Sequence, residues 1–208
     1  MGRREAKREA TRQEILTAAA DLFKTKGYDS TSVDDIALAA DVAKGTFYYH
    51  FKAKEDLVLA LQEVELNIAA EKVNTRMEKG DSPLTILLDF LTTVAHWAEA
   101  NPELERVMFR KKIEMMAQHG ADAHGCQSGE HQAPPTKQHF FKLIVDILSA
   151  AQEKGEIRKD MEAADLARVV IPVIMSTRMH WLMDQQESLS SRVEKSLKIV
   201  LEGFKERV

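Results

Sequence analysis

With 208 residues, 44 % of them hydrophobic and 30 % charged, the chain has the material for a soluble core of one large or two small domains. A net charge of −4 excludes a uniformly basic nucleic-acid binder, and the absence of any uninterrupted apolar run near ~20 residues excludes a transmembrane helix. The single cysteine, Cys126, excludes an intrachain disulfide and suits a reducing cytoplasm; the charged N-terminus has no apolar stretch behind it and predicts no signal peptide.

Few aromatics, few glycines and abundant Ala, Leu, Glu and Lys predict an all-α protein. The chain opens on a basic cluster: Arg3, Arg4, Lys7, Arg8 and Arg12 outnumber Glu5 and Glu9. Ile15, Ala18, Ala19, Leu22 and Phe23 then repeat at helical spacing and predict a helix from about Arg4 to Lys26, stopped by Gly27. Ser32 and Asp35 have the spacing of a capping box, and a short helix over Val33–Ala40 follows. Asp41 stands where a sharp turn needs positive φ, a role Gly fills most cheaply. The next short helix buries Phe47 and Phe51 and leaves Lys44, Thr46, Tyr48 and Tyr49 outside, with no acid between Val42 and Lys54.

Longer helices succeed it. One runs from about Lys54 to Lys79. Ser82-Pro83 starts another to about Ala100, and Asn101-Pro102 starts a third to about Gln118. Gly and Pro in residues 119–136 predict a loop; helices follow over about Lys137–Lys154, Glu162–Gln185 and Ser191–Glu206, the last with Ser191 and Glu194 at capping-box spacing. Pro172 interrupts the second of these and predicts a kink. The expected architecture has about nine helices, with a small N-terminal domain at 1–53 and a larger helical domain at 54–208.

The stretches Asp21-Leu22-Phe23-Lys24-Thr25-Lys26-Gly27-Tyr28, Thr31-Ser32-Val33-Asp34-Asp35-Ile36-Ala37 and Val42 to Leu57 resemble the TetR family of bacterial transcriptional regulators in type, spacing and order. The resemblance covers roughly residues 10 to 60; beyond it only helix number and length agree. It implies a helix-turn-helix in a three-helix domain, followed by a domain for ligand binding and dimerisation. The recognition helix would be Lys44–His50, with Ser32, Val33, Lys44, Gly45, Thr46, Tyr48, Tyr49, His50 and Lys54 toward DNA. His50 and Lys54 would be phosphate clamps by that analogy. Lys44 and Thr46 sit at the N-terminal end of the helix, the end that meets base edges. For Tyr48 and Tyr49, packing against the first helix competes with DNA contact. Two departures stand out: Asp41 replaces the usual turn glycine, and Asp34 stands where some members place a base-reading Arg.

In the second domain Phe90, Val94, Trp97, Met108, Phe109, Phe140, Phe141, Ile144, Met175 and Met179 are the candidate effector pocket. Met and aromatic side chains adapt to irregular apolar ligands, although ordinary helical core is the competing reading for each. His96, Asn101, Arg110, Arg178 and His180 are candidate polar anchors. Leu166, Val170 and Val173, with Val193, Leu197, Val200, Leu201 and Phe204, are the candidate dimer interface, because one chain would struggle to bury both helices. The expected function is a homodimeric, cytoplasmic, ligand-responsive repressor, released from a palindromic double-stranded operator by a small, largely apolar effector. An alternative is metal or redox sensing through His119, His124, Cys126 and His131, although their spacing matches no closed zinc motif. No cofactor, metal or membrane partner is expected, and no enzyme: nucleophile–base pairs, phosphate loops and spaced carboxylates are lacking.

Overall fold

The computed structural model describes residues 2–118 and 135–204. They form α1 (Arg3–Lys26), α2 (Val33–Ala39), α3 (Lys44–His50), α4 (Lys54–Glu78), α5 (Pro83–Ala100), α6 (Pro102–Gln118), α7 (Pro135–Glu153), α8 (Ala163–Asp184) and α9 (Leu189–Phe204). No strand occurs among the described residues, as an all-α chain requires.

Local chemistry sets most of these boundaries. The Ser32/Asp35 box forms: Asp35 N–H donates to Ser32 Oγ at 3.1 Å, and Ser32 N–H donates to Asp35 Oδ2 at 2.8 Å. Gly27 ends α1 at φ 83°, and Asp41 takes the left-handed turn at φ 52°. Asp56 closes the start of α4 by accepting from the N–H groups of Lys52 and Ala53 at 3.0 and 3.1 Å. Ser82 caps α5 ahead of Pro83, its first residue. At α9 the expected cap is corrected. The helix begins at Leu189, ahead of Ser191, and Ser188 Oγ accepts the Ser191 N–H at 3.3 Å. Pro172 lies within α8, which runs unbroken from Ala163 to Asp184, and the residue is exposed.

The described residues pack as two units, 2–64 with 103–118 and 65–102 with 135–204. Packing therefore divides the chain within α4 and groups α6 with the N-terminal helices, whereas helix length changes at Lys54.

In the first unit Ile15, Leu16, Ala19 and Phe23 of α1 are buried, as are Ile36 and Ala37 of α2, Phe47 of α3, Phe51, and Leu57 and Val58 of α4. α6 adds Leu104, Val107 and Met108 to the buried set. Its Glu103 accepts the Tyr28 N–H at 3.3 Å, and Lys111 lies 3.9 Å from Asp56. In the second unit α5 packs against α7 and α9, and α8 against α7 and α9. Ile86, Leu87, Phe90, Leu91, Val94, Ala95 and Ala98 bury a broad face of α5 in this core. Glu99 accepts from Ser190 N–H at 2.7 Å, tying the end of α5 to the start of α9.

Candidate nucleic-acid interface

Phe47 organises the helix-turn-helix. It is fully buried, with the Phe51 ring 6.0 Å away and the Tyr48 ring edge-on at 5.4 Å. Val42 N–H donates to Ala37 O at 2.9 Å and closes the turn. Burying Phe47 turns the opposite face of α3 outward, where Lys44, Gly45, Tyr48 and Tyr49 are exposed. A Cβ at Gly45 would meet nothing within 4 Å, so the protein's own packing does not demand a glycine there. Thr46 and His50 are half-buried beside α1, and Ser32 and Val33 open α2 as exposed and half-buried residues. Tyr49 is 71 % exposed and Tyr48 48 %, so packing against α1 does not absorb either ring.

Lys54 is placed otherwise than a phosphate clamp. Its Nζ donates to Tyr28 O at 2.6 Å and to Thr31 O at 2.8 Å, and it lies 4.0 Å from the centre of the Tyr28 ring. An ammonium with two carbonyls and an aromatic face around it has little left to offer a phosphate. Sequence reasoning missed this because those carbonyls lie more than twenty residues upstream, at the α1–α2 junction.

Two further features emerge only in the fold. Between α1 and α3 runs an open groove of about 440 Å³, lined by Arg4, Glu5, Lys7, Arg8 and Thr11 on one side and Thr46, Tyr49 and His50 on the other. The basic cluster at the N-terminus is helical from Arg3, and positions 4, 8 and 11 share the α1 face that lines this groove. Burial, together with Arg8 and Arg12, lowers the pKa of His50 below its ordinary value, with Glu9 opposing. The second feature is an ion pair. Lys44 Nζ lies 2.8 Å from Asp34 Oδ1, which raises the pKa of Lys44.

Of the candidate pocket, Val94, Phe140, Ile144 and Met175 line a cavity of about 20 Å³ with Val170, Ile174 and the buried Arg178. Phe90 lines a separate space of about 10 Å³ with Phe140 and Leu143. Either would hold about one water molecule at most. The remaining candidates are dispersed. Trp97 and Phe141 are half-buried outside both spaces, and Met179 is 48 % exposed. Met108 and Phe109 belong to the first unit. Among the candidate anchors only Arg178 faces the cavity. His96 is exposed and bonded to Glu99, Asn101 Nδ2 donates to Trp97 O, and Arg110 and His180 are exposed.

The candidate dimer residues fall into two groups. Leu166, Val170, Val193, Leu197 and Phe204 are buried within their own chain, and Val173, Val200 and Leu201 are half-buried. What α8 and α9 leave exposed is Val169, Met179 and Met183, and Ile199 at 75 %. Both apolar faces exist, but the richer one serves the internal core. His119, His124, Cys126 and His131 lie outside the described residues. Among the described residues no cluster of His, Cys, Asp and Glu could hold a metal, and no helix is long and apolar enough to cross a membrane.

Comparison with known proteins agrees with this geometry. Residues 15–61 match the family model for bacterial regulatory proteins of the tetR family. Residues 63–203 match the C-terminal domain of TetR/AcrR family transcriptional repressors. The chain is 40 % identical over 94 residues to the transcriptional regulator AcrR of Shigella flexneri, an alignment spanning 44 % of each protein. It is 27 % identical to the uncharacterised regulator YvdT of Bacillus subtilis, over 85 % of this chain and 86 % of that one. Among solved structures it resembles the repressor FadR of Thermus thermophilus in complex with lauroyl-CoA, with a TM-score of 0.71 at 24 % identity, covering 95 % and 96 % of the two chains.

Proposed function

The chain belongs to the TetR family of bacterial regulatory proteins, and from that premise we propose that this DNA-binding transcriptional regulator is a homodimeric repressor, released from a palindromic operator by a small, largely apolar effector. The observation that carries the DNA reading is the outward face of α3. Burial of Phe47 and Phe51 fixes the helix and leaves Lys44, Tyr48 and Tyr49 on the side free to enter a major groove, with Thr46 half-buried at its edge toward α1. Ser32, Val33, His50 and the α1–α3 groove flank it as phosphate contacts, while Lys54 holds the α1–α2 junction. Functionally, residues 1–53 bind DNA, and residues 54–208 carry the effector and dimer surfaces. The protein works in the cytoplasm, on the chromosome.

Dimerisation is assigned to the exposed faces of α8 and α9, through Val169, Met179, Met183 and Ile199, with Val173, Val200 and Leu201 at the edge. A two-fold partner covers these faces as a four-helix bundle. Two recognition helices then sit about one DNA turn apart, ~34–36 Å.

The effector site is assigned to the space around Val94, Phe140, Ile144 and Met175, with Arg178 as its cationic anchor. Because that space is only about 20 Å³, a ligand must select a state in which α5, α7 and α8 have parted. This supplies the differential affinity a switch requires, since an effector that fits both states equally shifts nothing. α4, with 25 residues, spans ~37 Å and runs from the first unit into the second, a length suited to a lever.

The test is the double substitution Lys44→Ala/Tyr48→Ala. The expected outcome is loss of binding to duplexes selected by the native protein, with helicity and dimer mass unchanged. Duplex binding by the double variant at the native protein's affinity would overturn the site.

A further inference from the structure

The first turn of α2 holds two consecutive acids, Asp34 and Asp35, and the structure gives them different work. Asp35 does the capping: it accepts from Ser32 N–H and Ser32 Oγ at 2.8 and 2.7 Å, and Lys26 Nζ lies 2.8 Å away. Asp34 stands outside that network. Its carboxylate reaches across the turn to the first residue of α3, with Oδ1 2.8 Å and Oδ2 3.0 Å from Lys44 Nζ. Both side chains remain open to water, 54 % exposed for Lys44 and 69 % for Asp34. Core packing therefore does not force them together, and an ion pair this exposed adds next to nothing to stability.

The pair sits at the end of α3 that meets base edges, and its chemistry is wrong for the DNA backbone. A carboxylate beside the ammonium repels phosphate and cancels the charge that would displace counterions. What remains is a donor and an acceptor held side by side. In the major groove a G·C pair presents the guanine O6 and N7 acceptors beside the cytosine N4 donor. On docking the ammonium keeps one N–H on Asp34 Oδ1 and gives up Oδ2, which frees two donors for the two guanine acceptors, whereas adenine offers it only N7.

We propose that Asp34 and Lys44 act together as one reader of a G·C base pair in each half-site, Lys44 donating to guanine O6 and N7 and Asp34 accepting from cytosine N4. This rests on the operator-binding reading above and names a specificity determinant within it. It gives Asp34 a role in which an arginine would be no substitute, because the two residues read opposite strands of the same pair.

The experiment is binding-site selection from a randomised duplex library with the native protein, Asp34→Ala and Lys44→Ala, each checked for native helicity. The native protein should enrich a two-fold motif with a G·C pair in each half-site. Each variant should lose preference at that same position, by about tenfold, and retain the rest of the motif. The inference is overturned if the variants alter different positions. It is equally overturned if the shared position is A·T, or if Asp34→Ala leaves the motif unchanged and only steepens the salt dependence. A native protein that enriches no motif at all would instead defeat the operator reading.

Discussion

Lys54→Met separates a structural tether from a phosphate clamp, because the two roles predict opposite results. Methionine keeps the aliphatic stem and removes the ammonium, which donates to Tyr28 O and Thr31 O and rests on the Tyr28 ring. Hydrogen bonds from a charged donor contribute about 1.5–3 kcal/mol each, and a cation–π contact about 0.5–2 kcal/mol. Two features lower the sum. Lys54 is only half-buried, and Tyr28 O keeps a second partner in Thr31 N–H at 3.2 Å. The expected loss is about 2–3 kcal/mol, confined to the junction of α1, α2 and α4. Tryptophan fluorescence is the wrong probe, since Trp97 and Trp181 both lie in the second unit. Amide hydrogen exchange over α1–α3 is the right one, and protection there should fall about 30- to 150-fold while α5 and α9 keep theirs. The salt slope of duplex binding should not change. If protection is retained and the slope falls by about 0.9 per protomer, Lys54 contacts phosphate and the tether reasoning is refuted.

Ile199→Glu places a charge on the exposed apolar face of α9 and should convert the protein to monomers by light scattering without lowering helicity; a dimer of unchanged affinity would move the interface elsewhere. Asp41→Gly relieves a left-handed residue at φ 52° and should raise stability by roughly 0.5–1 kcal/mol, after Gly's greater unfolded-state entropy is subtracted; a lower denaturation midpoint would contradict the turn strain. His50 gives two pH trends of opposite sign. Its lowered pKa means that the fold favours neutral imidazole, so its stabilising contribution is present above the unfolded value of ~6.5 and is lost as pH falls through the lower folded value. A neighbouring phosphate favours imidazolium, so operator affinity should rise as pH falls below neutrality, and His50→Gln should flatten that rise in a binding titration.

Helix positions, the capping box at Ser32 and Asp35, the left-handed residue at Asp41 and the buried pair Phe47 and Phe51 were all legible in the sequence. Each depends on residues within about one or two helical turns, where periodicity and cap chemistry act. The same locality placed Lys44, Tyr48 and Tyr49 on the outward face of α3, whereas Thr46 is half-buried toward α1. Partners far apart along the chain were not legible. The sequence could not show that Lys54 answers carbonyls at Tyr28 and Thr31, that Asp34 reaches Lys44 across the turn, or that Arg4 and Arg8 form one wall of a groove with His50. Nor could it decide which apolar stripe of α8 and α9 is core. Hydrophobic spacing reports that a face must be covered, and only tertiary packing decides whether α5 or a second chain covers it. Here Val193, Leu197 and Phe204 are claimed by the chain's own core, and Ile199 is left outside. The sequence by itself determined the elements and the DNA-facing helix, because those rest on local interactions. The tertiary structure decided partners, cavity and free surface, because those depend on which distant groups arrive at the same place.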